Sequence, residues 1–178
     1  MAPESVLPAE LVALARRVIE TNRALGRKVA LAESCTGGLV AAALTEIAGS
    51  SAVLDRGFVT YSNEAKIENL GVSPDLIDTF GAVSIATAWA MARGALKNSR
   101  ADIAVAVSGV AGPDGGTAMK PVGTVVLAKA LRHAEGEPES EMRHFDGATR
   151  SAIRVQAAMA ALELLLPPQP AAEADGAP

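Results

Sequence analysis

Ile103-Ala104-Val105-Ala106-Val107 is an unbroken apolar run in which β-branched residues alternate with alanine, leaving no polar face. A strand of that kind needs cover on both sides, the condition met in the middle of a sheet sandwiched between helices. The segments around it fit such a sandwich. Leu11, Leu14, Ala15, Val18 and Leu25 fall at helical spacing before a stop at Gly26. Val29–Leu31 reads as a short buried strand, Gly38–Ala48 as an alanine-rich helix, and Val53–Tyr61 as a second strand. Helices follow from Ser62 to Gly71, from Ser73-Pro74-Asp75 onward, and from Ser84 to Asn98, where Ile85, Ala88, Trp89, Ala92 and Leu96 share one face. After Val107 come a long loop from Ser108 to Gly123, a strand over Thr124–Leu131, an edge strand over Glu141–Phe145 and a last helix over Ala148–Leu166.

Strands alternating with helices predict a three-layer α/β/α sandwich with a mixed, mostly parallel sheet of about five strands. The mixing is expected late in the chain, where two connections without helices favour antiparallel pairing. Residues 1–166 read as one domain. Pro167-Pro168-Gln169-Pro170 and the Ala/Glu/Asp tail to Pro178 offer almost nothing to bury, so disorder is expected over 167–178.

Composition narrows the partners. Aromatic residues are only 3% of the chain and the net charge is −4, which argues against nucleic-acid stacking or attraction to an anionic membrane. The one cysteine, Cys35, excludes an intramolecular disulfide. Met1–Pro8 lacks the regions of a signal peptide, and no apolar run is long enough to span a bilayer. A cytoplasmic protein is expected. No Cys/His spacing resembles a metal site, so no metal or other cofactor is expected.

Three clusters carry potential chemistry. Ala32-Glu33-Ser34-Cys35-Thr36-Gly37-Gly38 joins a strand to a helix and places two hydroxyls and two glycines at the helix mouth. Backbone N–H groups and the positive end of the helix dipole suit an anion or a developing oxyanion. The plainer role is capping by Ser34 or Thr36. In Arg56-Gly57-Phe58-Val59-Thr60-Tyr61-Ser62-Asn63-Glu64-Ala65-Lys66, a helix capped by Ser62 puts Lys66 near its first turn. There the dipole favours the neutral amine, which suits a general base towards a serine; pairing with Glu64 would oppose this. Ser108-Gly109-Val110-Ala111-Gly112-Pro113-Asp114-Gly115-Gly116 follows the most strand-like segment and so lies at a carboxyl end, where open α/β sheets bind ligands. It is neither a Walker A loop nor a dinucleotide fingerprint. Cys35 is a further nucleophile candidate, ranked last because no histidine lies near it in sequence.

Together A-E-S-C-T-G-G, R-G-F-V-T-Y-S-N-E-A-K, S-G-V-A-G-P-D-G-G and K-P-V-G-T-V resemble the CinA C-terminal domain family, over about Val29 to Leu166. That family includes nicotinamide-mononucleotide deamidases, and two-domain members carry a preceding molybdopterin-binding-like domain; this chain resembles the stand-alone form. The resemblance implies hydrolysis of the carboxamide of nicotinamide mononucleotide to nicotinate mononucleotide and ammonia. By that resemblance Ser34 is the nucleophile, Lys66 its base and Tyr61 a residue that orients or relays the proton. Thr36, Gly37 and Gly38 would lie near the reacting carbonyl or the phosphate. Ser108, Gly109, Gly112 and Arg150 would hold phosphate or ribose, with Arg56 a second phosphate candidate or a partner of Asp55.

Two departures stand out. Phe80-Gly81-Ala82-Val83-Ser84-Ile85 replaces a family His-Gly-Ala-Val-Ser-Glu, which removes a polar pair near a helix start. Gly147-Ala148-Thr149-Arg150 replaces Gly-Asp-Arg with a one-residue shift. The alternatives are a non-catalytic nucleotide-binding regulatory module of a competence or DNA-damage response, an amidase for another pyridine, and a thiol hydrolase using Cys35. A homodimer or other homo-oligomer is the expected assembly.

Overall fold

A computed structural model describes residues 5–134, 139–147 and 149–168. Helix α1 (Ala9–Ala24) precedes β1 (Val29–Glu33), α2 (Leu39–Thr45), a 3-10 turn (Ser50–Ala52) and β2 (Leu54–Val59). Then come α3 (Asn63–Leu70), α4 (Pro74–Phe80), α5 (Ile85–Lys97), β3 (Ile103–Gly109), β4 (Thr124–Leu131), β5 (Glu139–His144) and α6 (Arg150–Leu164). The strands form one sheet in the order β2-β1-β3-β4-β5. β1 pairs parallel with β2 and β3, while β4 pairs antiparallel with β3 and β5, so β4 alone runs against the others.

The two sides of the sheet differ. Val29, Leu31, Ile103, Val105, Val107, Val125 and Leu127 point to the layer of α1, α2 and α6. Ala30, Ala32, Ala104, Ala106, Ala128 and Ala130 point to α5, which answers with Ala88, Met91, Ala92 and Ala95. Small residues on both partners let α5 lie close to the sheet, and dense contact replaces side-chain bulk. The alternation of β-branched residues with alanine in β3 is therefore a statement about the two layers as well as about burial.

Most boundaries follow local chemistry. Ser62 caps α3 by accepting from Ala65 N–H, and Gly71 ends it at φ 67°. Ser84 caps α5 by accepting from Thr87 N–H, so that helix start is satisfied without the family's His/Glu pair. Thr149 caps α6 by accepting from Ala152 N–H; this places Arg150 at the first helical position and accounts for the shifted motif.

Several boundaries shift, among them the ends of β1 and β3, which run to Glu33 and Gly109 rather than Leu31 and Val107. Helix α2 is shorter than Gly38–Ala48 because Gly37 and Gly38, at φ 60° and 94°, form a turn before it. β2 ends at Val59 rather than Tyr61, β5 starts two residues before Glu141, and α6 starts at Arg150 rather than Ala148. Ala148 lies outside the described residues, as does the expected disordered tail from 169 onward. Among the described residues, no helix is long and apolar enough to cross a membrane.

Candidate active site

The three clusters meet at the carboxyl ends of β1, β2 and β3. Ser34 N–H donates to Val107 O of β3 at 2.9 Å, and Thr60 N–H donates to Glu33 O at 2.8 Å. Both sheet ladders thus run one residue past the strands, so the turn after β1 is held between its neighbours. Ser34 is 8% exposed and Lys66 1% exposed.

Lys66 Nζ donates to Ser34 Oγ at 3.1 Å, bringing together two side chains 32 positions apart in the chain. The same nitrogen lies 2.9 Å from Thr60 O and 3.3 Å from both Tyr61 O and Ser62 O. These carbonyls follow β2 and precede α3, and they can accept from the ammonium form of this buried side chain. Burial pushes the Lys66 pKa below its ordinary 10.5, while the Glu64 charge pushes the other way. The expected direction holds, but desolvation is its main cause rather than the helix dipole. Among the described residues Lys66 has no ion pair. Glu64 is exposed and acts only at range.

Sequence reasoning passed over Glu33. Its carboxylate is 1% exposed and accepts from Thr36 Oγ1 at 2.7 Å, Gly38 N–H at 3.0 Å, Val40 N–H at 3.1 Å and Ala41 N–H at 2.8 Å. Neither Ser34 nor Thr36 caps α2; the cap position is Gly38, with no side-chain cap of its own, and Glu33 supplies the acceptors. This revises the place given to Thr36, Gly37 and Gly38. Thr36 is fully buried against Glu33, Gly38 N–H is taken by the same carboxylate, and Gly37 N–H donates to Ser34 O. Those donors hold the nucleophile turn and are not directed at a ligand. The signal was a carboxylate closing an apolar strand, because a buried charge needs several donors.

Cys35 is 5% exposed, and burial raises its pKa to about 11, so it is a neutral thiol at physiological pH. That removes the thiolate on which a Cys35 hydrolase would depend.

A cavity of about 280 Å³ opens above the dyad, lined by Ser34, Cys35, Tyr61, Asn63, Lys66, Ala82, Val83, residues 108–112, Asp114, Gly115 and Arg150. Ser108, Gly109 and Gly112 line the cavity, with Ser108 and Gly109 ending β3 rather than opening the expected loop. The Ser108 hydroxyl donates to Ala82 O at 2.9 Å and ties β3 to the turn before α5. Arg150 donates to Gly112 O at 2.6 Å and to the Tyr61 hydroxyl at 2.8 Å, and so joins the glycine loop to the end of β2. The contact between Lys66 and Ser34 is direct and needs no relay through the Tyr61 phenol. Arg56 falls outside the cavity: it bonds Asp55 at 2.8 Å and Asn98 O at 2.8 Å, the second of its two expected roles. A larger open groove of about 1210 Å³ runs past Trp89, Arg93, Lys129 and Leu166, and among the described residues that line it there is no serine, cysteine or histidine.

Comparison with known proteins agrees with this geometry. The CinA C-terminal domain family matches residues 11–167. The chain is 51% identical over 157 residues to "Nicotinamide-nucleotide amidohydrolase PncC" of Escherichia coli K12, covering 88% of this chain and 93% of that protein. It is 53% identical over 144 residues to the protein of the same name from Enterobacter agglomerans, covering 81% and 86%. Among solved structures, the competence/damage inducible protein CihA from Agrobacterium tumefaciens superposes with a TM-score of 0.86 at 53% identity, covering 90% of this chain and 96% of that one.

Proposed function

The chain belongs to the CinA C-terminal domain family, and from that membership we propose that it hydrolyses the carboxamide of nicotinamide mononucleotide to nicotinate mononucleotide and ammonia. One observation carries the chemistry: the direct hydrogen bond from buried Lys66 to Ser34 at the floor of a cavity. The relatives carrying the amidohydrolase name support the substrate.

An amide needs an activated nucleophile, support for the tetrahedral oxyanion and a proton for the departing amine. Neutral Lys66 takes the Ser34 proton as Oγ attacks the carboxamide carbon. The resulting ammonium is held by the carbonyls of Thr60, Tyr61 and Ser62. It then protonates the nitrogen of the tetrahedral adduct, the C–N bond breaks and ammonia leaves. Water, deprotonated by the same amine, attacks the acyl-serine and restores Ser34. Burial lowers the Lys66 pKa towards the working range of a general base. Arg150 is the cation at the cavity for the substrate phosphate; two of its bonds fix its plane and leave further N–H donors for an anion.

A phosphorylated nucleotide is charged and does not cross bilayers, which agrees with the cytoplasmic setting proposed for the enzyme. The homo-oligomer is also part of the proposal, supported by the exposed apolar side chains Val59, Tyr61 and Phe80. Light scattering of the purified chain tests it.

The test of the function is ammonia and nicotinate mononucleotide release by the purified chain, with Lys66→Ala in parallel. Stoichiometric release lost in the variant is expected. Nucleotide binding without turnover, unchanged by the variant, would instead identify a binding module.

A further inference from the structure

Two opposite charges grip the nucleophile turn from its two sides. Glu33, from β1, takes donors of the turn and of the first turn of α2. Arg154, from α6, donates from a terminal guanidinium nitrogen to Thr36 O at 2.7 Å. The carbonyl it holds also accepts from Leu39 N–H at 3.2 Å, so Arg154 adds a charged donor to an acceptor that opens α2. Arg154 follows Arg150 by one helical turn, so both lie on the same face of α6. Arg150 pins the glycine loop and Tyr61, while Arg154 pins the turn that carries Ser34. The same nitrogen would stand 3.5 Å from a Cβ at Gly37, which places the guanidinium against the tightest part of the turn. Among the described residues Arg154 has no carboxylate partner. Its charge is therefore directed at the turn rather than at a surface ion pair.

We propose that Arg154 is a positioning residue: by holding Thr36 O it fixes the turn in which Ser34 Oγ meets Lys66. Arg154 is absent from the cavity lining, and its hydrogen bond to the site is to the backbone of the turn. A displacement of about 1 Å at a reacting atom costs roughly 100-fold in rate, so a modest rotation of the turn is enough to register. The proposal rests on the serine amidase reading of the site, so its test needs a readout independent of the substrate.

That readout is the labelling rate of Ser34 by a fluorophosphonate, which reports the activated serine whatever amide the enzyme takes. It is measured with kcat and KM on nicotinamide mononucleotide for Arg154→Gln and Arg154→Lys. In Arg154→Gln, kcat and labelling rate are expected to fall together by about 10- to 100-fold, with KM within about twofold and melting temperature near wild type. Arg154→Lys, which keeps a cationic donor, should recover part of both rates. Wild-type kcat and labelling in Arg154→Gln would overturn the proposal, as would a loss expressed in KM alone. If Arg154→Gln does not fold, Arg154→Met, which keeps the apolar stem and removes the donor, decides: a fall beyond about threefold in both rates at unchanged KM supports positioning, and full activity overturns it. Labelling that depends on Arg154 without turnover of the nucleotide would leave positioning intact and refute the substrate.

Discussion

Lys66 concentrates the chemistry of this chain at the scale of one residue. Its amine is buried, touches Ser34 and lies among three carbonyls. The proposed base role requires the neutral amine and so predicts that kcat/KM rises with pH along a limb whose apparent pKa is below 10.5, which a pH–rate profile checks. The same shift links stability to pH. The folded state disfavours the ammonium, so between the folded pKa and 10.5 the unfolded chain binds more protons. The burial penalty is full below the folded pKa and is relieved as pH rises through that window. Urea midpoints of the wild type should therefore gain on those of Lys66→Met as pH rises from neutral towards 10. Cys35 makes the contrasting case. As a thiol with a pKa of about 11 it should alkylate slowly at neutral pH, and Cys35→Ala should keep turnover within about twofold while costing about 1 kcal/mol of stability for the small cavity left. Ser34 and Lys66 were legible because each stands in a long specific string. Glu33 stands in the same string but was not legible, because its role depends on the fold of the turn that brings Thr36, Gly38, Val40 and Ala41 to its carboxylate.

At the scale of elements, glycines and caps set how closely neighbours approach. Gly94 on α5 faces the end of α3, and a Cβ there would collide with the Leu70 carbonyl, a backbone group that cannot rotate away. Gly94→Ala should destabilise the fold by about 3 kcal/mol despite the better helix propensity of alanine, as urea denaturation would record. The alternation in β3 made the sheet and its two cover layers readable in advance, and Ser62, Gly71 and Ser84 marked helix ends where they stand. The start of α2 was not readable. Two left-handed glycines and a carboxylate from the preceding strand replaced the expected hydroxyl cap, and that substitution withdrew Gly37 and Gly38 N–H from any ligand. Arg56 took the second of its two expected roles: Asp55, its neighbour in sequence, pairs with it, while its bond to the end of α5 is a long-range contact that is not visible locally.

On the scale of the whole molecule, the site exists only when the sheet is assembled. Ser34, Lys66, the glycine loop and Arg150 come from the ends of strands, from α3 and from α6, and the bonds that join them, from Lys66 to Ser34 and from Arg150 to Gly112 and Tyr61, are long-range. The strings announced these residues, yet the 3.1 Å contact between Lys66 and Ser34 depends on β1 pairing parallel with β2, a long-range fact. Ligand binding should accordingly stabilise the molecule as a unit. Nicotinamide mononucleotide at 100 times its Kd should add about 2.7 kcal/mol to Ser34→Ala, a rise of about 5–10 °C in Tm by calorimetry. Free nicotinamide, which lacks the phosphate, should add much less if Arg150 holds that group.

The central claim is that Ser34 is the nucleophile and Lys66 its base, and the steady-state rate of ammonia release by folded Ser34→Ala, beside wild type and Cys35→Ala, addresses it most directly. The expected result is a loss of at least about 1000-fold in Ser34→Ala with Cys35→Ala near wild type. Turnover by Ser34→Ala near the wild-type rate, or its abolition in Cys35→Ala instead, would contradict the account.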